Sequence, residues 1–185
     1  MKKGKQVFKR VKLVLTDVDG CMTDGKVYVG RDVEWLAFDI QDGIGHRLAE
    51  HAGISVGWLS GRHSTATAAR GKKLRVSPVY LGVLDKLKKA EAYGRHQGIA
   101  LSEMAYLGDD LIDLPLMEKV GWAVAVQNAR PEVKRAAHYV TKARGGAGAF
   151  REMVEVLIRA QGLWEQTLRK FRRMNSAPSG ALRLD

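Results

Sequence analysis

Carboxylates, a hydroxyl, a guanidinium and an ammonium group gather at four points in this sequence. The first is Asp17-Val18-Asp19-Gly20, directly after the apolar run Val11–Leu15. Two carboxylates two residues apart, with a turn at Gly20, can point into one cleft. Taken alone, such a pair is more often a strand-to-loop junction with turn-forming aspartates. The second is Tyr106-Leu107-Gly108-Asp109-Asp110-Leu111-Ile112-Asp113. Three acids crowded at a strand end repel one another unless a cation or a helix N-terminus compensates. Asp110 also suits a helix cap and Asp113 its first turn, so Asp109, nearest the strand, carries the stronger claim to chemistry. No histidine or cysteine cluster accompanies these acids. A donor set of hard oxygens favours Mg²⁺ over zinc or iron, and Mg²⁺ held by few carboxylates commonly works beside a substrate phosphate.

The third point is Trp58-Leu59-Ser60-Gly61-Arg62. A hydroxyl, a permissive backbone and a guanidinium after a strand form a grip for phosphate or carboxylate, although the signal is weak by itself. The fourth is Lys86, opening a lysine-rich helix whose Lys88 and Lys89 are expected in solvent.

These groups need a scaffold that brings them together. Val11–Leu15, Ile54–Leu59, Val79-Tyr80, Met104–Leu107, Trp122–Val126 and Tyr139-Val140 have the short apolar form of buried strands. Helices are expected from Asp42, as a cap, to about His51 and a stop at Gly53, over Ser64–Gly71, Asp85–His96 and Leu111–Lys119, after Pro131, and over Phe150–Gln161. The last has Phe150, Val154, Leu157 and Ile158 on one face. Val27–Val29 and Trp35–Ile40 suggest a hairpin. Strands alternating with helices predict an α/β fold, Rossmann-like, with a mainly parallel sheet in a three-layer α/β/α arrangement. Ligands in such folds bind beyond the carboxyl ends of the strands, and there stand Asp17 and Asp19, Ser60 and Arg62, Asp109 and Asp110.

In this order, DxDG, SGR, Lys and GDDLID resemble the haloacid dehalogenase superfamily of phosphotransferases over roughly residues 11–141. The segments 17–25, 42–45, 108–115, 117–121 and 139–141 resemble its small cap-less branch acting on 3-deoxy-D-manno-octulosonate 8-phosphate, a likeness extending through Gln161-Gly162. The resemblance implies a cap-less domain over residues 11–164 with a hairpin insertion at about 26–40. It implies Asp17 as nucleophile, Asp19 as general acid, and Mg²⁺ held by Asp17, the Asp19 carbonyl and Asp109. Ser60 and Lys86 would hold the phosphoryl oxygens, and Asp110 and Asp113 would support from behind. Arg62, and less strongly Arg70, would meet the carboxylate of an acidic sugar phosphate. A homotetramer covering the open site is implied too. A nonulosonate 9-phosphate is the alternative substrate, and Arg62 speaks for the octulosonate. One position departs from the family: Ala147 stands in Gly145-Gly146-Ala147-Gly148 where an arginine is usual, with Arg144 nearby as a substitute.

The chain has 185 residues and a net charge of +11. Residues 1–12 contribute +6, residues 142–185 contribute +5, and residues 13–141 hold sixteen acids and sixteen bases. The excess lies in a basic N-terminal extension, 1–10, and toward a basic, mobile tail expected over 165–185. Basic ends raise the alternative of a nucleic-acid or surface-binding module, which the lack of interleaved aromatic residues weakens. Cys21 is the one cysteine, which excludes an intrachain disulfide and suits a reducing, cytoplasmic setting. No apolar run reaches membrane-spanning length.

Overall fold

The computed structural model describes residues 8–175. Most of the expected N-terminal extension, and residues 176–185 of the expected tail, lie outside the described residues. Strand β1 (Leu13–Thr16) pairs in parallel with β4 (Ser55–Leu59) on one side and β6 (Met104–Gly108) on the other. Beyond β4 lies β5 (Val79–Tyr80), and beyond β6 lie β7 (Trp122–Ala125) and β8 (Tyr139–Val140). The sheet order is β5-β4-β1-β6-β7-β8, and every pair is parallel. All residues of β1 and β6 are buried, as a strand covered on both faces requires. That explains why these segments read as unbroken apolar runs rather than alternating ones.

The covering helices are α1 (Ile40–Ala52), α2 (Thr65–Leu74), α3 (Lys86–Gln97), α4 (Leu114–Met117), α5 (Pro131–Ala136), α6 (Ala149–Ala160) and α7 (Trp164–Asn175). Helices α1, α6 and α7 pack into one group, and α3, α4 and α5 into another. The α/β fold with a mainly parallel sheet is as expected. Between β1 and β4 the insertion is only a small antiparallel hairpin, β2 (Tyr28–Val29) with β3 (Glu34–Trp35). Among the described residues, no helix is long and apolar enough to cross a membrane.

Three expectations need correction. The hairpin's second arm does not run to Ile40. It ends at Trp35, Phe38 makes only an isolated bridge with Thr23, and α1 begins at Ile40. The cap of α1 is Asp39 rather than Asp42: the Gln41 amide donates to Asp39 Oδ1 at 2.6 Å. The tail expected from residue 165 begins as helix α7. Its Trp164, Thr167 and Phe171 recur at helical spacing. Thr167 is fully buried, Phe171 packs edge-on against His51, and the Arg159 guanidinium lies 3.7 Å over the Trp164 ring.

Freed from capping, Asp42 has another task. Its buried carboxyl accepts from the Arg151 amide at 2.8 Å and the Gly148 amide at 3.3 Å. These belong to the first turn of α6, whose amides lack partners within the helix. Burial pushes the Asp42 carboxyl up to about 6, against those hydrogen bonds. Beneath it His46 donates from Nδ1 to the Asp42 carbonyl and accepts at Nε2 from the Trp58 indole, both at 2.9 Å. That pairing needs the neutral ring, and burial lowers the His46 pKa to about 4. Replacing Asp42 with Ala strands two helix amides and should cost about 1–3 kcal/mol. Asp42→Asn, which keeps one acceptor oxygen, should cost less. Urea denaturation of the three proteins measures the order.

Candidate active site

The chain leaves β1 for β4 on one side and later returns to β6 on the other, so the carboxyl ends of β1, β4 and β6 flank a topological switch point. Asp17 follows β1, Ser60 follows β4, and Asp109 follows β6. The Asp17 amide donates to the Leu107 carbonyl at 2.9 Å, tying the first acidic loop to β6. That loop turns tightly, with the Cys21, Met22 and Thr23 amides all donating to the Val18 carbonyl. Gly20 sits at φ +95°, where a side chain would be strained, and a Cβ there would overlap the Asp109 carboxylate. The glycine therefore lets the two acidic loops close on each other.

Lys86, 2% exposed, lies between two carboxylates. Its Nζ is 2.7 Å from Asp17 Oδ1 and 2.7 Å from Asp113 Oδ1. Burial works against the charged ammonium, but the two carboxylates hold its pKa above the usual lysine range. Asp113 is fully buried. Besides Lys86 it accepts from the Tyr106 hydroxyl at 2.6 Å and from the Asp109 and Asp110 amides at 2.9 and 3.2 Å. It braces the loop that presents Asp109. Asp110 is exposed, and its carboxyl caps the turn that follows, accepting from the Leu111 amide at 2.7 Å. The expected helix over 111–119 is a 3₁₀ turn, Leu111–Asp113, followed by the short α4.

Asp17, Asp109 and Asp113 place three carboxylates against one ammonium. Burial, with Asp113 adding to it against Lys86, pushes Asp17 up to about 6. Burial and the neighbouring Asp17 and Asp113 push Asp109 up to about 8. With all three carboxylates ionised, the group is short of two positive charges, the charge of one divalent cation. Donor atoms of Asp17, Asp109 and Cys21 lie within 4.8 Å of one another. Two carboxylates fit a hard cation such as Mg²⁺, which takes oxygen and leaves the thiol aside. Cys21 is wholly buried, and burial raises its pKa well above the usual thiol range.

Asp19 is turned the other way. Ser60 Oγ donates to its Oδ2 at 3.2 Å and Arg62 Nη2 to its Oδ1 at 3.1 Å. Arg62 Nη1 also donates to Glu34 Oε2 at 3.3 Å, a partner that the sequence reading missed. Arg70 is not gathered into this group: it stacks 5.8 Å over Phe38 and reaches the Asp39 carbonyl at 3.5 Å. The glycine-rich segment docks behind the first loop, with the Gly146 amide donating to the Cys21 carbonyl at 2.9 Å. Ala147 and Arg144 are exposed, and Arg144 reaches toward Gln127.

The different settings of Asp113 and Asp110 have a measurable consequence. Asp113→Ala leaves a buried ammonium half-paired and should destabilise the fold by about 3–5 kcal/mol. Asp110→Ala removes one exposed cap and should cost about 1 kcal/mol. Urea titration of both variants separates them.

Comparison with known proteins agrees with this geometry. Residues 65–151 match the family model of haloacid dehalogenase-like hydrolases. The 3-deoxy-D-manno-octulosonate 8-phosphate phosphatase KdsC of Escherichia coli K12 is 41% identical over 155 residues, 83% of this chain and 82% of that one. The Moraxella catarrhalis phosphatase of that name, solved with a magnesium ion, a phosphate ion and KDO, superposes with a TM-score of 0.88 at 34% identity, covering 92% of this chain and 99% of that one. The cobalt-bound Haemophilus influenzae phosphatase gives a TM-score of 0.82 at 37% identity, with 85% and 92% covered. By this likeness the chain belongs to the haloacid dehalogenase-like hydrolases, in the family of the 3-deoxy-D-manno-octulosonate 8-phosphate phosphatases.

Proposed function

We infer that this protein is a Mg²⁺-dependent phosphomonoesterase that hydrolyses 3-deoxy-D-manno-octulosonate 8-phosphate, freeing the sugar acid for lipopolysaccharide synthesis. The observation that carries the reading is the Asp17–Lys86–Asp113 contact beside Asp109 and Asp19, at the ends of three adjacent strands. Family membership at 41% identity supports the substrate.

In this reading Asp17 attacks phosphorus and forms an aspartyl-phosphate as the bond to the sugar oxygen breaks. Asp19 gives that oxygen its proton, then takes one from the water that releases inorganic phosphate and restores Asp17. Ser60 and Lys86 turn their donors from Asp19 and Asp17 to the phosphoryl oxygens. Asp17, Asp109 and the Asp19 carbonyl would hold Mg²⁺, which when bound offsets the charge of the phosphoryl group and its nucleophile. Asp110 and Asp113 act through the Asp109 loop. Arg62 meets the substrate carboxylate through its planar fork. Arg70 would need a changed rotamer to join it, so Arg62 carries this role. Arg62 also favours the octulosonate over a nonulosonate 9-phosphate. A nucleic-acid module on the basic ends has less support, because α7 spends part of its basic face on the fold: Lys170 Nζ donates to the His51 carbonyl at 3.0 Å.

The same reading covers assembly. Val29 is 80% exposed, Trp35 57% and Tyr28 52%, an apolar hairpin that a homotetramer would bury. The free thiol of Cys21 fits a cytoplasmic site of action.

Asp17→Asn should lower phosphate release from the octulosonate ester by about a thousandfold or more. EDTA should abolish wild-type release, and added Mg²⁺ should restore it. Near-normal turnover by Asp17→Asn would remove the nucleophile assignment. The double substitution Val29→Glu with Trp35→Glu should convert a tetramer to smaller species in light scattering. A wild-type monomer would end the assembly proposal.

A further inference from the structure

Glu34 belongs to none of the roles above, yet it sits in the site. It is carried by β3 of the hairpin, between Val33 and Trp35, both exposed. Alternation along a strand turns Glu34 to the opposite side, toward Arg62. Its Oε2 accepts from Arg62 Nη1 at 3.3 Å. The Ser64 side chain and the Arg62 guanidinium hold its carboxyl below the usual range. Its Oε1 is shielded from solvent.

Arg62 is thus gripped from two directions, by Asp19 on Nη2 and Glu34 on Nη1. A guanidinium has five N–H donors, two on each terminal nitrogen. One contact at each terminal nitrogen fixes the plane and leaves one proton on each for an incoming carboxylate. A long arginine side chain otherwise loses rotamer entropy when the substrate orders it. With only Asp19 as partner, the guanidinium could swing into a two-point pair with that acid and be withdrawn from the substrate.

We propose that Glu34 is a positioning residue for substrate recognition: from the hairpin insertion, it holds the Arg62 guanidinium in the orientation that receives the carboxylate of the acidic sugar phosphate. This rests on the phosphatase reading above and adds a specificity role to the hairpin of the same chain. Glu34 does not touch the phosphoryl group, so its loss should weaken binding of the sugar acid without altering phosphate chemistry.

The experiment compares wild type, Glu34→Gln and Glu34→Asp with the octulosonate ester under saturating Mg²⁺, and measures inhibition by inorganic phosphate in the same assays. Glu34→Gln should raise KM about fivefold or more while kcat stays within about twofold, the signature of lost ground-state orientation. The phosphate inhibition constant should stay within about twofold. Glu34→Asp keeps the charge with a shorter reach and should fall between the two. An unchanged KM, or a kcat loss accompanied by equally weakened phosphate inhibition, would overturn the proposal, the latter pointing to general damage of the site. Failure of the phosphatase reading shows differently, as no phosphate release by the wild-type protein.

Discussion

The buried ammonium of Lys86, held between Asp17 and Asp113, is the contact on which the site depends. Two like charges about 4 Å apart cost about 4 kcal/mol at the effective dielectric typical of protein sites. Three carboxylates could not be packed at the ends of β1 and β6 without compensation. Lys86 supplies one charge and leaves a deficit of two. With all three acids ionised, one divalent cation would offset that deficit, and fuller neutralisation by protein side chains would leave less charge for it.

Backbone topology makes that arrangement possible. The register of β1 against β4 and β6 sets Asp17 beside the ends of both neighbours. Gly20 removes the side chain that would keep the Asp109 loop away. Asp113 then fixes that loop through two amides, the Tyr106 hydroxyl and Lys86. Tyr106 is part of the apolar strand β6, but its hydroxyl finds a partner at the polar end, as a buried tyrosine must. The strand therefore serves the core through its ring and the site through its oxygen.

The acids and the hydroxyl of the site were legible in the sequence because each follows an apolar strand segment, and strand ends of a parallel sheet converge by geometry. Asp17, Ser60 and Asp109 stand at neighbouring strand ends for that reason, whereas Lys86 reaches Asp17 from the start of α3. Glu34 was not legible. Its partner Arg62 lies 28 residues away, and the two meet only because a hairpin of two-residue strands folds toward the sheet end. Asp42 was assigned to the wrong helix, since a carboxylate near a helix start caps its own helix unless another helix brings free amides to it. Helix α7 was hidden by its charges: Trp164, Thr167 and Phe171 keep the helical period, but the basic residues between them dominate the composition.

Charge is sorted locally rather than globally. The block 13–141 is neutral as a whole, yet within it a carboxylate-rich floor lies beside an arginine at the mouth. That separation suits a substrate with two anionic groups of different kinds. The phosphate needs a cation it shares with the protein's own acids, while the carboxylate needs a donor fork kept out of that cluster. Arg62 remains at the mouth because Glu34 and Asp19 pull on it from opposite nitrogens. In a domain without a cap, such balanced contacts do for one side chain what a closing lid does for a whole site: they restrict its orientations before the substrate arrives.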